Sequence, residues 1–181
     1  MGLGLKSKFK KTLYRKEYIP IAHPVSTKNE FNGRVALISG GSGGIGLSIA
    51  KSLRESGCDV VVAGTNEKKL SRIKDELGFD IVVMDYLKPD TFNSVISEVI
   101  EKHNRINIFI SSTGVHTENI DFWSMNSSEF DRIININLKG AFFACQSIGK
   151  YMKDNKIKGS ILLVSSSRGS EPAWSPYGIS K

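Results

Sequence analysis

The stretch Arg34-Val-Ala-Leu-Ile-Ser39-Gly-Gly-Ser-Gly-Gly-Ile-Gly46 decides the fold. Its first half is a short apolar run and its second half a glycine cluster, the pattern of a buried strand that turns sharply. Ile45, Ile49 and Leu53 follow on one helical face as far as Ser56, and Gly57 closes the helix. The same alternation repeats outward from this point. Asp59–Ala63, Asp80–Met84, Ile106–Ser111 and Ser160–Val164 read as four more strands. Between them, Leu70, Ile73 and Leu77 stripe one helix, and Phe92, Val95, Ile96, Val99 and Ile100 stripe another. Asn126 with Glu129 has the spacing of a capping box that opens a long helix to about Lys153. Ser175-Pro176 has the form of an N-cap and first-turn proline opening one more.

Strands apolar throughout, alternating with amphipathic helices, imply an α/β fold whose parallel sheet is covered on both faces. Right-handed crossovers make such a sheet doubly wound, a Rossmann-like arrangement of which five strands are present here. The expected organisation is a basic arm over residues 1–30 and a dinucleotide-binding domain over 31–181.

Composition limits the function classes. The 181 residues, 40% hydrophobic and 24% charged, suit one soluble globular domain. No run approaches the 18 apolar residues of a membrane-spanning helix, and the start lacks the apolar core of a secretory signal. Cys58 and Cys145 have no partner pattern, which excludes a disulfide scaffold and a Cys-rich zinc site and makes a reducing cytoplasm the default compartment. The formal charge is +7, yet residues 1–30 alone carry +5. The basicity thus belongs to the arm, and a nucleic-acid role ranks last. Leu5, Phe9 and Leu13 recur beside lysines, so the arm fits either a short amphipathic helix on a membrane or partner, or a solvated segment.

A glycine loop between strand and helix suits a dinucleotide. Glycines give the tight bend and let the backbone approach a pyrophosphate, while the helix N-terminus offers free N–H groups. Gly40, Ser42, Gly44, Ile45 and Gly46 are the expected cradle. The end of the second strand should meet the adenine ribose, where an acid would bind the 2′-hydroxyl and repel a 2′-phosphate. This chain has Gly64-Thr65-Asn66 there, with Lys68 and Lys69 close by. That favours NADP, with NAD still possible.

Together these strings resemble the short-chain dehydrogenase/reductase family from Phe31 to Lys181. Ser39-Gly40-x-x-x-Gly44-Ile45-Gly46 is similar to its Thr-Gly-x-x-x-Gly-Ile-Gly loop, and Tyr177-Gly-Ile-Ser-Lys181 is its Tyr-x-x-x-Lys signature. Asp85 matches an Asp that contacts adenine, and Asn137 matches an active-site Asn. Ser111-Ser-Thr-Gly114 keeps only the glycine of Asn-Asn-Ala-Gly. Val164-Ser-Ser-Ser-Arg-Gly169 resembles the strand end that carries the catalytic serine; alignment points to Ser166, with Ser167 next.

The resemblance implies hydride transfer between NADPH and a ketone or secondary alcohol, with no metal. Tyr177 would be general acid or base, and a serine hydroxyl would polarise the substrate oxygen. A free tyrosine titrates near pKa 10, and the Lys181 ammonium four residues on favours its phenolate. Lys181 would also hold the nicotinamide ribose, and Asn137 would hold Lys181 through water. The family's fold continues past the Tyr/Lys helix, so the chain is expected to be a piece of a longer, homo-oligomeric reductase. The alternative is a non-catalytic nucleotide-binding or interaction protein on the same fold. His116 reads as a loop residue that is solvated or borders substrate, Trp174 as either pocket wall or packing, and Cys145 as core.

Overall fold

A computed structural model describes residues 29–117, 120–169 and 175–181. Residues 1–28 of the basic arm and Trp174 lie outside these residues. Five parallel strands form the sheet: β1 (Val35–Ser39), β2 (Asp59–Gly64), β3 (Asp80–Val83), β4 (Ile108–Ser111) and β5 (Ser160–Leu163). Their order is β3-β2-β1-β4-β5. The order reverses at β1, which pairs with β2 on one side and β4 on the other. In an open α/β sheet, such a switch point leaves a crevice beyond the carboxyl ends of the strands.

The helices are α1 (Gly44–Glu55), α2 (Glu67–Leu77), α3 (Phe92–His103), α4 (Ser127–Ile134), α5 (Ala141–Asp154) and α6 (Pro176–Ser180). Side chains alternate across each strand, and this fills two cores. Ala36, Ile38, Val60, Val62 and Ile110 face α1 and α2 through Ala50, Leu70 and Ile73. Leu37, Val61, Val82 and Phe109 face α3 and α5 through Phe92, Val95, Ile96, Ala144 and Ile148. Each fully buried Leu, Ile or Phe contributes roughly 1.5–3 kcal/mol, so a one-residue slip of β1 would cost several such terms.

Four expectations about these elements need correction. The helix opened by Asn126 is not continuous: residues Asn135–Gly140 form a π-helical turn between α4 and α5. Only half of the capping box forms. Asn126 Oδ1 accepts from the Glu129 N–H at 2.9 Å, but the Glu129 carboxylate turns to Arg132 at 2.7 Å. Ile45 does not share the buried face of Ile49 and Leu53; it is 63% exposed at the open end of α1. β5 also differs from the fully buried strand its composition suggests. Leu162 and Leu163 are half exposed, because among the described residues nothing covers them.

Cys58 sits at the start of β2, 3% exposed. Burial, with the Asp59 carboxylate beside it, pushes the thiol up to about 11. Iodoacetamide at pH 8 should therefore label Cys58 about 100-fold more slowly in the folded chain than in urea. The sign also fixes a pH effect on stability. The unfolded chain releases this proton first, so the term is present below the ordinary thiol value of 9.0 and lost as pH rises toward 11.

Candidate functional site

The carboxyl ends of the strands carry the loops that build the site. Gly40 leaves β1 with φ of +66°, and a Cβ there would lie 2.7 Å from the Ser112 carbonyl. Only glycine takes this turn against β4 without strain. At Gly46, a Cβ would come 2.4 Å from the Gly40 oxygen, so the loop closes onto α1 by backbone contact. Gly44 is different, because a Cβ there would meet open space. The N-cap of α1 is Gly43, which offers no capping side chain, and the first turn holds no acid. The first N–H groups of a helix lack intrahelical partners, so this end is set up for an anion.

Two recesses of about 250 Å³ each meet at this loop. The first is lined by Gly40, Ser42, Thr65, Asp85, Tyr86 and the Ser112–Val115 segment. The second is lined by Gly44, Ile45, Gly46, Gly114, Val164, Ser165, Tyr177 and Lys181. Gly40, Gly43, Ser112 and Gly114 border both, so the two form one continuous cleft. Among the expected cradle residues, Ser42 borders only the first recess and Ile45 and Gly46 only the second.

The Tyr/Lys helix is placed by several short contacts. Ser175 Oγ accepts from the Gly178 N–H at 3.2 Å, capping α6, and Pro176 fills its first turn. Lys181 Nζ donates to the Val164 carbonyl at 2.8 Å and to the Thr113 carbonyl at 3.5 Å. Gly114 permits this approach, since a Cβ there would lie 3.2 Å from the ammonium. Partial burial holds the Lys181 pKa below the ordinary lysine value.

Asn137 is buried within the π-helical turn. Its Oδ1 accepts from the Val115 N–H at 2.8 Å, and its Nδ2 donates to the Val115 carbonyl at 2.9 Å and to Ser180 Oγ at 3.0 Å. It thus ties the loop after β4 to α6 through Ser180 and makes no direct hydrogen bond to Lys181.

The motif points to Ser166, and its neighbour Ser165 lines the recess with Tyr177 and Lys181. Ser165 Oγ donates to the Lys181 carbonyl at 2.6 Å, and Ser166 Oγ accepts from the Arg168 N–H at 3.3 Å beside the short 3₁₀ turn Ser167–Gly169. His116, read as a loop residue that is solvated or borders substrate, makes a ring contact. The imidazole is exposed, but its ring lies 4.3 Å from the Tyr177 ring at 37°. The signal available was position, two residues past Gly114 at the carboxyl end of a central strand.

Comparison with known proteins meets this geometry directly. Residues 34–181, from the start of β1 through Lys181, match the model of short chain dehydrogenases. The chain belongs to the short chain dehydrogenase family. It is 31% identical over 156 residues to the 3-oxoacyl-(acyl-carrier-protein) reductase of Rickettsia typhi, covering 84% of this chain and 62% of that protein. It is 30% identical over 151 residues to the sorbose reductase sou1 of Schizosaccharomyces pombe, covering 78% of this chain and 58% of that one. The chain therefore spans about three fifths of the length of these short chain dehydrogenases. Among solved structures, a short-chain type dehydrogenase/reductase from Mycobacterium marinum superposes with a TM-score of 0.77 at 27% identity, covering 85% of this chain and 66% of that one. Among the described residues, no helix is long and apolar enough to cross a membrane.

Proposed function

We propose that this chain carries the cofactor site and the proton-transfer machinery of an NADP-dependent reductase acting on a ketone or, in reverse, a secondary alcohol. The observation that carries the reading is one recess that joins Tyr177, Lys181 and Ser165 to the uncapped start of α1. The cleft fits a dinucleotide. Gly44 leaves open space where a pyrophosphate would lie, and the first-turn N–H groups of α1 stand ready to bind it. Asp85 and Gly114 border the same cleft, and Thr65 stands where the adenine ribose is expected. No carboxylate stands at the end of β2, and Asn66 is engaged as the N-cap of α2, accepting from the Lys69 N–H at 2.9 Å. A 2′-phosphate would meet Thr65 first, with Glu67, Lys68 and Lys69 following in the first turn of α2.

When bound, the nicotinamide supplies the hydride that adds to the carbonyl carbon. The chain's own residues handle the oxygen. Tyr177 donates its phenolic proton to the oxygen as negative charge develops there. The Lys181 ammonium, held by two main-chain carbonyls, stabilises the phenolate left behind. Asn137 keeps α6 at its distance from the loop after β4. A serine hydroxyl donates to the carbonyl oxygen and polarises it. Ser165 lines the recess, and Ser166 beside it holds the place the motif gives the catalytic serine. His116, stacked near Tyr177, walls the side from which substrate enters.

The test is calorimetric titration with NADPH and NADH, followed by NADPH oxidation with a 3-oxoacyl thioester and a ketose. NADPH should bind at least about tenfold tighter than NADH, since one misplaced charge is worth that much at a half-buried site. Equal affinities would remove the NADP preference, and absence of both would remove the reading. Alanine at the serine that polarises the carbonyl should lower kcat by about 10²-fold, and alanine at its neighbour only slightly.

A further inference from the structure

Beneath the floor of the cleft, three hydroxyl side chains meet where water does not reach. Ser39 ends β1, Ser111 ends β4, and Tyr86 follows β3; all are at most 3% exposed. Tyr86 Oη lies 2.5 Å from Ser39 Oγ and 2.9 Å from Ser111 Oγ. Ser39 Oγ also reaches the Ile110 carbonyl at 3.4 Å. One donor order satisfies every group: Ser111 donates to Tyr86, Tyr86 to Ser39, and Ser39 to the main chain of β4. Burial raises the phenol's pKa above its ordinary value, which keeps it protonated and able to donate.

The ring is fixed as firmly as the hydroxyl. Phe92 meets it edge-on at 5.7 Å, and a Cβ on Gly140 would lie 2.5 Å from Tyr86 Cβ. The phenol thus bridges the serines that end β1 and β4.

We propose that Tyr86 is a positioning residue: by tying the ends of β1 and β4, it sets the Ser112–Val115 segment, and through it the Gly40 turn, for the dinucleotide. The dinucleotide part rests on the function proposed above. The link is short. The Ser112 N–H donates to the Ser39 carbonyl at 3.0 Å, and the Gly40 turn packs on the Ser112 carbonyl with no room for a Cβ. Any tilt of β4 against β1 therefore reaches the cradle directly. Tyr86 also borders the first recess with Thr113 and Gly114.

Two variants of the full chain test this by amide hydrogen exchange and NADPH titration. Tyr86→Phe keeps the ring and leaves Ser39 and Ser111 without the phenol. Exchange protection at Ser112 and Val115 should fall about tenfold, and NADPH affinity by a similar factor. The triple variant Tyr86→Phe, Ser39→Ala, Ser111→Ala removes all three hydroxyls, so that of the phenol's hydrogen-bond partners only Thr113 remains. It should recover the melting temperature while protection and affinity stay low. Unchanged protection in Tyr86→Phe overturns the proposal. Recovery of protection and affinity in the triple variant also overturns it, because the hydroxyls would then serve only one another. If the unaltered chain binds neither NADPH nor NADH but Tyr86→Phe still loses protection at Ser112, the positioning role stands and the reductase reading fails.

Discussion

Tyr177→Phe should lower carbonyl reduction by roughly 10²–10⁴-fold, the range a positioned general acid contributes. NADPH affinity should remain within about twofold, because the phenol acts on the substrate oxygen and not on the phosphates. The prediction separates chemistry from structure unusually well at this position. Among the described residues, the Tyr177 hydroxyl has no hydrogen-bond partner, so its removal leaves no buried group unsatisfied. What holds α6 is elsewhere: the Ser175 cap, the Asn137–Ser180 bond and the Lys181 contacts. The melting temperature should therefore stay within a degree or two, since surface changes away from such features cost about 0.5 kcal/mol or less. Turnover unchanged in this variant would remove Tyr177 from the mechanism. Turnover lost together with melting temperature would show a packing role instead.

The parts of the fold legible in the sequence are those that local chemistry dictates. Val35–Ser39 reads as a buried strand, and the glycine cluster at its exit as a loop suited to a dinucleotide. Leu70, Ile73 and Leu77 marked α2 by their spacing, and the structure caps it with Asn66 and with Gly78 at φ of +66°. Ser175 and Pro176 opened α6 in the same local way. Each of these depends on residues within one turn of one another. The parallel, doubly wound class of the sheet is legible in the strand–helix alternation, whereas its order, β3-β2-β1-β4-β5, depends on pairing between distant segments.

What escaped depends on contacts between distant segments. The π-helical turn at Asn135–Gly140 has no periodicity signature, because it is held by Asn137 reaching Val115, 22 residues away. The Tyr86 tie joins residues 47 and 25 positions apart, and its serines looked only like a weakened motif. His116 meets Tyr177 across 61 positions of chain, so no window along the sequence could show it. Ile45 completed a helical stripe on paper, yet it stands at the open end of the helix, where the cleft takes the place of a core. In each case the pattern was local and the deciding partner was not. The site residues named from motifs nevertheless gather at one edge of the sheet, because motif spacing in a parallel α/β fold returns every loop to the same carboxyl end.

The largest loss of cofactor binding is expected from Gly46→Ala, and its contrast with Gly44→Ala shows why. The two glycines are two residues apart in the same first turn of α1, but their surroundings are opposite. An added Cβ at Gly46 would lie 2.4 Å from the Gly40 oxygen and 2.8 Å from the Gly41 Cα. Both neighbours are backbone, which cannot swing aside as a side chain can. The loop must shift away from α1, at a cost of roughly 1–3 kcal/mol in stability as in other overpacked sites. That shift moves the Gly40 turn itself, so NADPH affinity should fall by about 10²-fold or more, two tenfold steps of 1.4 kcal/mol each. At Gly44 the added methyl meets nothing within 4 Å, so the fold should keep its melting temperature or gain slightly from the better helix former. The methyl would instead stand in the cleft, and NADPH affinity alone should fall, by about tenfold. Thermal melts and calorimetry on the two variants read both quantities. If Gly46→Ala melted and bound like the unaltered chain, the close packing of loop on helix would not be what shapes this site. If Gly44→Ala bound NADPH normally, the pyrophosphate would have to lie somewhere other than the start of α1.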